Sequence, residues 1–293
     1  MLGDRKEITA GDNSTNIQGQ SVTVYSGISY MDAKEIALQT FKDNFYKLSE
    51  VANNITMERV EDLVNNFLDK MKNEKPELIT RIIDPDIQYA VINAQRQYAR
   101  SGHVEAMEIL TTLLKERFQV SDDDSLKRII INESIEAMSK LTVEHIKLLT
   151  IVFLVKSCIL PYADLLFHFL SKIAIDKWDA YKNDENYFDH FVYVGVATKD
   201  IIVGYSKHFE VFLRNNYDGV PQIDVNPYEE DVAANTLTRQ KYITDTKRAE
   251  VLDKWNNSML RSYSLSGVGK SLAITYINSV MGENIDFSMW IKN

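Results

Sequence analysis

The stretch Ser-Gly-Val-Gly-Lys-Ser at Ser266–Ser271 has the residue types of a phosphate-binding loop, where glycine amides cradle a phosphate and a lysine neutralises it. Such a loop needs glycine at its first position, and this chain has Ser264 there. It also needs an apolar strand in front, whereas Asn256–Ser264 reads as polar and helical. Only 22 residues follow Ser271, too few for the rest of a nucleotide-hydrolysing sheet. The spacing instead predicts a helix capped by Ser266, with Leu272, Ile274, Ile277 and Val280 turned inward.

Other reactive types are scattered. His103, His145, His168, His190 and His208 are far apart in sequence and none makes a zinc-type i, i+4 pair. Asp189-His190 is an acid–base neighbour pair of the kind that is usually structural. The Asp122–Asp124 run lacks the downstream Gly and Glu of a calcium loop and suits the N-terminus of a helix starting near Ser125. Cys158, the single cysteine, sits in an apolar setting and cannot form an intrachain disulfide. No nucleophile stands beside a base, so no catalytic residue, metal or cofactor is expected.

Between Thr236 and Tyr263, Arg239, Lys241, Lys247, Arg248, Lys254 and Arg261 outnumber the carboxylates and give a net +3, with Tyr242, Trp255 and Tyr263 interleaved. That pattern suits a nucleic-acid contact, or a solvated basic face on an acidic protein. The whole chain carries a net charge of −9, which disfavours nonspecific binding to nucleic acid or anionic lipid.

The elements that must position these residues read as helices. A hydrophobic fraction of 45% supports a core, and no apolar stretch reaches a membrane-spanning length, so a cytoplasmic protein without a membrane span is expected. Neither Gly nor Pro occurs between Tyr30 and Lys75. Ile36, Phe41, Phe45, Leu48, Ala52 and Ile55, then Val60 to Met71, recur at helical spacing, which predicts one long helix opened by Ser29. Asp84-Pro85 should open the next helix and Gly102 close it. Further helices are expected at about 103–118, 125–139, 143–159, from Pro161, and from near Asn235 to Arg261. Phe191–Val196 is either a helix end or a strand. The fold class is mainly α: a leader at 1–28, a helical body at 29–218, a loop at 219–231, and a C-terminal helical segment at 232–293, open to a small winged-helix-like form.

Gly11–Gly27 differs from everything else, with no charge after Asp12. Ser21–Tyr25 alternates polar and β-branched apolar residues, a strand pattern. Nothing else in the chain offers a sheet to receive that strand, so its partners would be other copies of the chain; otherwise the segment is a polar tail. In the self-association reading Asn13, Asn16, Gln18 and Gln20 stack amides in register. Ile17, Val22 and Val24 line the strand, and Ile36, Phe41 and Phe45 carry the contact into the helix behind.

The leader "GDNSTNIQG", the helix "ISYMDAKEIALQTFKDNFYKLSEVA", "PDIQYAVINAQRQYARSG" and the closing "LSGVGKSLA" together resemble a family of bacterial proteins with a GDNSTN-type leader. Similar Asn/Gly-rich leaders head proteins linked to phage defence. The resemblance implies a setting and no reaction. The expected function is a self-assembling homo-oligomer in antiphage defence that binds a phage or host protein; the alternative is a nucleic-acid-binding module using the basic C-terminal segment.

Overall fold

Helix α1 runs unbroken from Tyr30 to Glu74, 45 residues, as the absence of Gly and Pro predicts. The computed structural model describes residues 30–121, 123–175, 178–200, 208–217, 232–280, 282–283 and 286; side chains are described from Ser49 onward, Val232 and Ala233 excepted. The leader, the cap at Ser29 and the side chains of Ile36, Phe41 and Phe45 therefore lie outside the described residues. The chain divides into two compact units, Met1–Asn54 and Ile55–Asn293.

Within the second unit a 3-10 turn, Pro76–Ile83, leads from α1 to α2 (Pro85–Ser101). The Asp84 carboxylate accepts from the Asp86 amide at one end, and Gly102 closes the helix with φ +64 at the other. Then come α3 (Val104–Gln119), α4 (Ser125–Ala137), capped by Asp124, and α5 (Val143–Val152). The helix expected to continue to Ile159 widens instead into a π-helical turn, Phe153–Ser157. After α6 (Ala163–Lys172), α7 (Trp178–Tyr181) and α8 (Glu185–Val194), Gly195 at φ +83 ends the helix and β1 (Ala197–Lys199) begins, which resolves the ambiguous stretch in favour of a helix end.

The C-terminal third departs from expectation in three ways. The single helix expected from Asn235 to Arg261 is broken into α10 (Val232–Tyr242), α11 (Thr246–Asn256) and a 3-10 turn, Met259–Ser262; α9 (Phe209–Asn216) precedes them. The break is chemical: Asp245 turns its carboxylate onto the Arg248 amide and starts α11 afresh. A strand does precede Ser266, since β2 (Tyr263–Leu265) pairs antiparallel with β1, Thr198 opposite Ser264. The body therefore does hold a small sheet, closed across 66 residues of sequence.

Finally, the described residues from 232 on cluster with the rest of the second unit. Helix α12 (Gly267–Val280) packs against α3, α4 and α5, and Leu272, Ala273, Ile274, Thr275, Tyr276 and Ile277 are buried in succession. A helix covered nearly all round belongs at the centre of a core. Around it Ile109, Leu113, Ile131, Leu148 and Leu149 are fully buried. The strand β2 pairs with β1 of the body. Among the described residues no helix is long and apolar enough to cross a membrane.

Candidate functional site

Three places on the molecule bring together residues singled out above. The first is α1. Its last turns are tied to the second unit: Leu63, Phe67 and Met71 are buried, Lys70 reaches Glu108 (2.7 Å) and Thr111, and Asn66 donates to Glu108. One turn ahead of that stripe, the Arg59 guanidinium donates to the carbonyls of Ala99 (2.8 Å) and Arg100, capping the C-terminus of α2. Upstream the pattern reverses. Val51, Ile55 and Met57 are 50%, 42% and 51% exposed, and Ala52 is exposed as well.

The stripe also breaks its spacing. Ile55 and Val60 are five residues apart, which at 3.6 residues per turn is about 140° around the helix. The helical spacing is interrupted between those two residues, and beyond the interruption the chain covers Leu63, Phe67 and Met71 while Leu68 stays 40% exposed.

The second place is the phosphate-loop look-alike. Ser266 accepts from the Gly269 amide (3.2 Å) and donates to the Gly195 carbonyl (2.7 Å), acting as the expected cap. A side chain on Gly269 would put its first carbon 2.0 Å from the Val196 carbonyl oxygen. That glycine lets α12 lie directly on the chain entering β1. Its role here is helix-to-backbone packing.

Beside it lies a cleft of about 800 Å³, lined by Lys156, Cys158, Asp200, Asn215, Trp255 and Ser264 among others. Lys156 Nζ donates to Asp200 (2.7 Å) and to the Tyr263 carbonyl, and Ser264 donates to the other Asp200 oxygen (2.8 Å). The two oxygens of Asp200 are thus engaged by groups that tie the π-helical turn to the sheet. Burial pushes the Cys158 thiol up to about 11, so it stays protonated and unreactive near neutrality.

Sequence distance hid one juxtaposition. The His145 and His190 rings lie 5.3 Å apart, contrary to the expectation of isolated histidines. They continue a run of rings through Tyr187 (4.7 Å from His145) to Tyr181, stacked 4.0 Å further on. His145 Nδ1 accepts from the Thr142 amide while its own amide donates to the Thr142 hydroxyl, a reciprocal cap that needs a neutral ring. Burial, then His190, hold its pKa down to about 4. Asp189 and His190 do not act as a pair: Asp189 accepts from the buried Tyr263 hydroxyl (2.7 Å), and His190 Nε2 donates to the Lys140 carbonyl. Among the described residues no group of three His, Cys, Asp or Glu side chains could hold a metal ion.

The third place is the basic segment. Arg239 pairs with Glu210 (2.7 Å), a carboxylate buried on α9, and with Asp253 (3.0 Å). Arg248 pairs with Asp164 (2.9 Å) and Asp245 and lies over the Phe167 ring. Lys254 pairs with Glu250, Arg261 donates to His208, and Lys241 sits 5.1 Å over Tyr242. Lys247 lines a cavity of about 440 Å³ with Asp164 and Asp245. Five of the six cations, all but Lys247, thus engage groups of their own chain, which leaves less charge for phosphates to meet.

A protein-family model whose description reads only ":-like" matches residues 27–248 and 235–291. The chain belongs to that family. No curated protein and no solved structure matches the chain.

Proposed function

We propose that the protein is a self-assembling homo-oligomer that acts by binding a partner protein. Its assembly segment is the leader, Gly11–Gly27, together with the N-terminal half of α1. The observation that carries this reading is the exposure of Val51, Ile55 and Met57 on α1, upstream of the turns where its own chain buries Leu63, Phe67 and Met71. A setting in antiphage defence rests on the resemblance of the leader and the helix that follows it.

The leader supports the reading through its chemistry. Strand pairing between copies satisfies backbone groups that are otherwise left to water. Val22 and Val24 share one strand face, each contributing roughly 1.5 kcal/mol or more when buried. Val22→Asp combined with Val24→Asp stacks like charges in that seam. The double variant is expected to sediment as a smaller species than the wild type with unchanged helical circular dichroism. Identical sedimentation would make the leader a passive tail.

A further inference from the structure

We infer that the cleft beside β2 binds a small organic ammonium ion, a cation carrying an apolar body. Its walls are built by the ends of two helices. Val155, Lys156 and Ser157 belong to the π-helical turn that ends α5, and Asn215 and Asn216 are the last residues of α9. The last carbonyls of a helix have no partner within it and carry partial negative charge, so two such ends opening on one cleft favour a positive guest. A π-helical turn in this place is itself a pointer, because such turns gather at functional sites. The volume, about 800 Å³, lies within the range of small-molecule sites.

The side-chain charges do not oppose that sign. Three charged residues line the cleft: Lys156, Lys199 and Asp200. Lys156 is held by Asp200 (2.7 Å) and the Tyr263 carbonyl (2.9 Å), and Lys199 is turned to Glu185 and Asp189. Each ammonium thus has a carboxylate of its own, and the helix ends set what remains. Asn216 spends its amide donor on the Phe212 carbonyl (2.8 Å), which leaves the amide oxygen as an acceptor. The rings of Phe212 and Trp255 and the side chain of Ile159 supply the apolar wall, and an aromatic face attracts a cation in its own right. A carboxylate or phosphate guest would meet the same two helix ends with both lysines already engaged. The net charge of −9 draws cations towards the molecule as a whole.

Titration calorimetry of the full-length chain with benzyltrimethylammonium and with benzoate tests the assignment. The cation is expected to give a saturable isotherm at low ionic strength and the anion none. Ile159 is 67% exposed, so a charge there leaves the core intact. Ile159→Arg is expected to weaken binding of the cation about tenfold, and Ile159→Glu to strengthen it by about the same factor. Opposite shifts cannot come from a loss of folding. Val104→Arg, at an exposed position on α3 outside the cleft, adds the same charge and is expected to change the affinity less than about twofold. No saturable binding of benzyltrimethylammonium, equal binding of benzoate, or equal weakening by Ile159→Arg and Val104→Arg overturns the proposal.

Discussion

Gly269 shows how a residue that looks chemical can be mechanical. In the sequence it sits in a phosphate-loop pattern, yet its missing side chain makes room for the Val196 carbonyl 2.0 Å from where a methyl would stand. The obstacle is backbone on both sides and cannot swing away. Gly269→Ala is therefore expected to destabilise the fold by roughly 3 kcal/mol, read as a lower urea midpoint. Lys270→Ala, by contrast, should stay within about 0.5 kcal/mol of the wild type and leave a flat ATP titration flat. A Lys270→Ala variant that abolished a measurable ATP isotherm would restore the phosphate reading.

At the scale of elements, α12 is buried so thoroughly that its hydroxyls become liabilities. Thr275 is fully buried and its Oγ1 has no hydrogen-bond partner; Ser271 Oγ is in the same position. An unsatisfied buried hydroxyl costs about 1 kcal/mol or more, so Thr275→Val should raise stability by about 1 kcal/mol. Its neighbour Ile274 fills the core, and Ile274→Ala should cost about 2–5 kcal/mol. If Thr275→Val destabilises instead, that hydroxyl has a partner such as bound water.

Elements also decide what could be read from the chain. Helix α2 was legible because both ends are written locally, Asp84-Pro85 at the start and Gly102 at the close. The caps at Asp124 and Ser266 were legible for the same reason. The β1–β2 pair was not, because its two three-residue strands exist only through each other and lie far apart in the sequence. The His145–His190 approach and the pairing of Arg239 with Glu210 were hidden likewise, since each joins helices whose packing no local pattern specifies. The break after Tyr242 did carry a signal, in Asp245 as a cap three residues ahead of Arg248, but continuous helical composition masked it.

For the molecule as a whole, buried His145 and half-buried Glu116 tilt the pH dependence of stability in opposite directions. Glu116 is raised to about 7, first by desolvation, so it is neutral in the fold and ionised in the unfolded chain above 4.5. Its contribution is full below pH 4.5 and is lost as pH rises towards 7. His145 is lowered to about 4, so its contribution is full above 6.5 and is lost as pH falls towards 4. Between 4.5 and 6.5 the two slopes oppose each other. Glu116→Gln keeps a neutral group and removes one of them. Urea unfolding from pH 4.5 to 7.5 should show the wild type losing about 3 kcal/mol relative to Glu116→Gln over that range. Parallel curves would mean that the Glu116 carboxyl ionises in the fold as it does in water.

The central place of α12 has a consequence in time. Helices α3, α4 and α5 leave the ribosome with a shared apolar face and nothing to cover it until residues 267–280 have been made. The partners that then meet are more than a hundred residues apart along the chain, and such distant contacts form slowly. A nascent chain of this protein spends most of its synthesis with an open core, in the state where chaperones bind and aggregation starts. A stop codon anywhere before Gly267 would release a product that never closes that core. The N-terminal segment, made first, is available to neighbouring nascent chains throughout that interval.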